Sequence, residues 1–67
     1  MTVKDFLKVT YDCSEIIIEV GIEEEGVYGL QVLYKGSAYE LAKTDLIDRQ
    51  IINIHAIDYS VTKILIE

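Results

Sequence analysis

The residues of this chain best placed to do chemistry are carboxylates. Glu15, Glu19 and Glu23 recur at every fourth position of the segment EIIIEVGIEEEG, and Glu24 and Glu25 extend the set. Alternate residues of an extended strand share one side, roughly 6.6–6.8 Å apart. Glu15, Glu19 and Glu23 therefore line one side of a strand, with Glu24 and Glu25 at its tip. Such a row can imitate a nucleic-acid backbone and occupy a basic groove on a protein partner. The same residues also make a solvated face that keeps a small apolar protein soluble. A calcium loop is a poorer reading, because the segment lacks the alternating Asp/Asn oxygen ligands and central glycine of an EF-hand.

Nucleophilic and metal chemistry find little support. Cys13 is the only cysteine and His55 the only histidine, so no internal disulfide and no Cys/His zinc set can form. A catalytic thiol needs a neighbouring base and a lowered pKa, and His55 lies in a predicted strand far along the sequence. Twelve acidic residues offer many carboxylate pairs but no framing motif. G-x-S-x-G, P-loop and H-E-x-x-H patterns are absent. The expectation is a protein that is not an enzyme and carries no cofactor or metal.

Five tyrosines (11, 28, 34, 39 and 59) are many for 67 residues. Tyrosine gives large amphipathic contact area at low entropic cost, which suits interfaces. Tyr34, Lys35, Tyr39, Arg49 and Tyr59 form a second candidate set, for an interface or for stacking on a nucleobase framed by two subunits. Ordinary packing of a sheet against its helices is the alternative for the tyrosines.

A net charge of −6 argues against direct nucleic-acid binding, which needs clustered Lys and Arg. It argues equally against an anionic membrane surface. No signal sequence follows Met1-Thr2-Val3-Lys4-Asp5, no run approaches transmembrane length, and one unpartnered cysteine suits a reducing compartment. The expected location is the cytoplasm. A chain this short buries only about 60% of its unfolded surface. With disulfides and metals excluded, self-association, most simply a dimer, is the remaining supplement to the core.

These candidates must be held by a small α+β domain covering residues 1–67. Thr2 caps a short helix to Lys8, with Asp5 three residues on and Val3, Phe6 and Leu7 on one stripe. Glu15 to Ile22 alternates as a first strand, with Ile16, Ile18, Val20 and Ile22 toward the core and the glutamates in the open. Gly26 supplies a turn, and Val27 to Lys35 returns as a second strand. Its faces are Tyr28, Leu30, Val32 and Tyr34 against Val27, Gly29, Gln31 and Leu33, with Gly29 marking a bulge or close approach. Ser37-Ala38-Tyr39-Glu40 has capping-box spacing for a helix from Ala38 to Lys43, with Thr44-Asp45 able to end one turn and cap another. Ile51–Ile57 and Val61–Ile66 form a C-terminal hairpin around Asp58-Tyr59-Ser60. In its first strand Ile52, Ile54 and Ala56 oppose Ile51, Asn53, His55 and Ile57. The fold class is thus α+β: a four-stranded, mostly antiparallel sheet, a short N-terminal helix, and a short helix between the two hairpins. Both faces of the strands are partly apolar, so the second face calls for a helix or another subunit.

An opening Val3-Lys4-Asp5-Phe6-Leu7, a mid-chain Tyr34-Lys35-Gly36, and Leu46-Ile47-Asp48-Arg49-Gln50-Ile51 before a terminal hairpin resemble the small uncharacterised proteins of Firmicutes phages and prophages. The resemblance implies an antagonist of a host enzyme or defence system, of the kind acidic anti-CRISPR proteins provide by occupying nucleic-acid channels. It assigns no residue a role. The leading expectation is a non-enzymatic acidic interaction protein, with a protein partner that has a basic surface. The alternatives are an oligomeric sponge that sequesters a signalling nucleotide, and a structural or assembly component of a phage or larger complex.

Overall fold

The two strands that supply most of the buried core, Glu15–Glu24 and Val61–Ile66, sit at the centre of a four-stranded sheet, with Val27–Gly36 and Ile51–Asp58 at its edges. The computed structural model describes residues 1–9, 15–58 and 60–67, and of Asp58 the backbone only. The elements in chain order are α1 (Val3–Leu7), β1 (Glu15–Glu24), β2 (Val27–Gly36), α2 (Ala38–Leu41), a 3-10 turn (Asp45–Asp48), β3 (Ile51–Asp58) and β4 (Val61–Ile66). The sheet order is β2-β1-β4-β3. β1 pairs antiparallel with β2 and parallel with β4, and β3 pairs antiparallel with β4. β2 and β3 therefore run in the same direction on opposite edges, and α2 with the 3-10 turn is the crossover that such a connection needs. β4, where four of six residues are Ile, Leu or Val, is paired on both sides, as is the Ile16–Val20 part of β1.

The core lies between one face of this sheet and the helices. Ile16 and Ile18 of β1, Ile64 and Ile66 of β4, Val3 of α1 and Leu41 of α2 are completely buried. Phe6, Leu7, Val20, Tyr34, Ala38, Leu46 and Ile51 close around them. The predicted stripe of α1 and the predicted core face of β1 are both confirmed for their inner residues. Ile22, also expected in the core, is exposed.

The helices are too short to persist without docking and without caps. At α1 the Thr2 hydroxyl accepts from the Asp5 N–H at 3.2 Å, and the Asp5 carboxylate accepts from the Thr2 N–H at 3.1 Å. The bond from the Thr2 N–H to the carboxylate, and after it the hydrogen-bonding influence of the Thr2 hydroxyl on the same group, hold the Asp5 carboxyl below the usual carboxylate range. The folded state therefore keeps Asp5 ionised at a pH where the unfolded chain binds a proton. The stabilisation is present above the unfolded value and lost as pH falls through the lower folded value. Replacing Thr2 with alanine is expected to cost about 1 kcal/mol. Asp5→Asn should flatten the acid limb of a stability–pH curve measured by urea melts, and an unchanged limb would contradict the box. At α2 only half of the expected box forms: the Ser37 hydroxyl accepts from the Glu40 N–H, with no reciprocal bond from Glu40 among the described contacts. The helix stops at Leu41 rather than Lys43, and Thr44 caps the separate 3-10 turn by accepting from the Leu46 N–H.

Three bulges shape the edges. Between Ile18 and Glu19 the partner on β2 changes from Tyr34 to Val32, leaving Leu33 unopposed. The expected bulge at Gly29 does not occur; Gly29 pairs regularly with Ile22. The bulge at Leu33 turns Tyr34 away from Tyr28, Leu30 and Val32, so the predicted face of four splits. Tyr34 now faces the core and donates to the Ser37 carbonyl. Gly36 is needed beneath it, since a Cβ there would meet the Tyr34 hydroxyl at 2.9 Å. On β3, Ile52 and Ile57 are unopposed, which puts Ile51 on the same face as Ile54 rather than opposite it. Bulges of this kind interrupt an exposed edge and discourage continued strand pairing. β3 also extends to Asp58, one residue into the expected break, while Tyr59 lies outside the described residues.

Candidate interaction surface

β1 is ten residues long, but β4 accompanies it only from Glu15 to Val20. Beyond that point Gly21–Glu24 pair solely with Val27–Leu30, so the hairpin continues as a two-stranded arm. Residues 21–30 are exposed on both sides of the arm. The radius of gyration, 11.9 Å, exceeds the roughly 11 Å of a compact domain of this length, as a projecting arm requires. Its tip is a two-residue turn with Glu25 at φ 52° and Gly26 at φ 81°, both positive as the type I′ hairpin turn demands.

The five candidate glutamates part company on this frame. Glu15 lies at the start of β1, half-buried opposite Val61. Glu19 is not in the open as expected: it is only 7% exposed, and its carboxylate lies 3.7 Å from Lys63 Nζ on the neighbouring strand. The physical reason is the flanking of β1 by Val32 of β2 and Leu65 of β4, which wall in the side chain between them. Glu23, Glu24 and Glu25 are exposed at the tip of the arm, and no described cation lies within ion-pair distance of them. Glu23 faces the same side of the sheet as Glu19, Glu24 the other, and Glu25 occupies the turn.

The second candidate set does not converge. Tyr34 faces the core, whereas Lys35 faces the opposite side of the sheet, in register with Ile17. Tyr39 stays exposed, with Lys43 Nζ 4.2 Å from its ring centre, and Lys43 also approaches Glu40. The Arg49 guanidinium donates to the Glu67 backbone oxygen. Tyr59, like Tyr11 and Cys13, lies outside the described residues. His55 is exposed, in register with Lys63. Among the described residues no cavity is found and no helix is long and apolar enough to cross a membrane.

One partner was not foreseen from the sequence. Lys63 is the counter-ion of Glu19, which only the β1–β4 register reveals. The partly apolar second face expected of the strands is a strip on the uncovered side of the sheet: Tyr28, Leu30 and Val32 are 79%, 60% and 53% exposed. Its signal was present in the strands that are apolar on both faces. No protein-family model, curated protein or solved structure matches the chain.

Proposed function

We propose that the chain is a non-enzymatic interaction protein that offers the glutamate tip of the β1–β2 arm to a basic, nucleic-acid-binding surface of another protein. The observation that carries this reading is the arm itself. It stands clear of the sheet on both sides and ends in three adjacent carboxylates with no internal counter-ion among the described residues. Glu19, nearer the body of the sheet, is already held by Lys63 and takes no part. A narrow ribbon can enter a groove, and charge concentrated at its end is attracted by the Lys and Arg that line a phosphate channel. The resemblance to phage proteins supports a host defence or nucleic-acid-processing enzyme as the partner, met in the host cytoplasm.

Competition between this protein and duplex DNA, measured on a panel of purified host nucleases and other nucleic-acid-binding enzymes, tests the reading. The wild-type chain is expected to displace DNA from at least one member, and less effectively as salt rises. Glu24→Lys with Glu25→Lys should reduce displacement about tenfold or more while the circular dichroism spectrum stays unchanged. Displacement by that double variant equal to wild type, or none by the wild type across the panel, would remove the proposal.

A further inference from the structure

The side of the sheet away from the helices carries a pattern of charge and apolar surface that complements itself. From the tip inward, Glu23 is in register with Tyr28, Gly21 with Leu30, Glu19 with Val32, and Ile17 with Lys35. Negative charge thus lies at one end of the strip and positive charge at the other, with exposed Leu30 and Val32 between them. Six residues, roughly 20 Å, separate the Ile17 position from Glu23 along β1.

We infer that a second copy of this chain packs on this face, sheet against sheet with strands antiparallel, about a two-fold axis crossing β1 near Val20. Such an axis reverses the strand direction, so the position of Ile17 meets that of Glu23 in the second copy, and the position of Glu19 meets that of Gly21. Val32 then lies over the second copy's Leu30, and the reciprocal contact follows by symmetry. Lys35 lies over the second copy's Tyr28 ring, one strand away from its Glu23, a distance its long side chain spans between sheets packed about 10 Å apart. Glu19, already paired with Lys63, faces Gly21, which adds neither charge nor bulk. Glu15 and Glu25 bring like charges toward one another. They are farthest from the axis, where the angle of about 30° between packed sheets carries facing strands apart.

Charge complementarity selects a second copy over an unrelated apolar partner, because each end of the strip finds its opposite in the same strip reversed. A molecule with six completely buried hydrophobic side chains gains most from covering this face. Glu24, on the other side of the sheet, stays outside the contact and Glu25 lies at its far end; Glu23 is shared with the tip proposed above, but the contact does not depend on that partner, and the variants that test the two are different.

Sedimentation equilibrium across a concentration series tests it. The wild type is expected to be a dimer that dissociates reversibly on dilution. Leu30→Glu should leave a monomer with an unchanged circular dichroism spectrum. Lys35→Glu and Glu23→Lys, both at exposed positions that spare the core, should each weaken association about tenfold. The two together should restore it to near the wild-type value, because the swapped charges pair again. A wild type that stays monomeric throughout would overturn the inference. So would a dimer indifferent to Leu30→Glu, or a double charge swap no better than the singles.

Discussion

Replacing Ile64 with alanine is expected to unfold a large share of the molecules at room temperature. Ile64 is completely buried on the central strand β4, in register with Ile18 on one side and Ile54 on the other. Truncating a buried isoleucine costs about 2–5 kcal/mol, because the transfer free energy of the lost carbons is joined by that of the cavity they leave. A domain of 67 residues has a total stability of about 3–10 kcal/mol at the usual 0.05–0.15 kcal/mol per residue. The two figures overlap. Urea denaturation followed by circular dichroism, at one fixed protein concentration, measures the loss. Ile64→Val should cost about 0.5–1.5 kcal/mol in the same experiment. A loss below about 1 kcal/mol for the alanine variant would mean that the face against α1 and α2 is not where the molecule keeps its stability.

Removing the ammonium of Lys63 is expected to produce the second-largest effect. Lys63→Met strands the Glu19 carboxylate, which is nearly inaccessible to water, without the cation 3.7 Å away. An uncompensated buried polar or charged group costs about 1–3 kcal/mol, more if water is fully excluded. Lys63 itself is 38% exposed at its side chain, so solvent screens the pair and the lower part of that range is the expectation. Converting both residues, Glu19→Leu with Lys63→Met, should recover most of the loss, since an apolar pair of similar volume often replaces a buried ion pair without penalty. The coupling energy from the four urea melts of this cycle is the measurement. Strict additivity would show that Glu19 and Lys63 do not act together. Reversing Glu19 therefore tests folding, and reversing Glu24 and Glu25 tests partner binding.

Much of the local structure was legible because its causes lie within a few residues. The alternation in EIIIEVGI places Ile16 and Ile18 inward whatever the partner strand is. Thr2 with Asp5 and Ser37 with Glu40 signal helix starts through side chains that satisfy N–H groups only three residues away. Glu25-Gly26 makes a turn because its neighbours are strands and glycine tolerates positive φ. Errors appeared where a second strand intervened. Leu33 is an unremarkable strand residue, and only the offset between Tyr34 and Val32 opposite β1 makes it a bulge and turns Tyr34 into the core. Ile52 shows the same behaviour on β3.

Glu19 marks the limit of reading a strand alone. Its place in the row Glu15, Glu19, Glu23 is a matter of period two, and the sequence alone determined that these three share a side. Whether each is free was decided by how far the neighbouring strands extend. β4 accompanies β1 only to Val20, so Glu19 has a lysine beside it and Glu23 has water. Period and capping are properties of contiguous backbone and could be read from the residues in order; register, parallel pairing and strand overhang are set by contacts between segments distant in the chain, and only the tertiary structure fixed them.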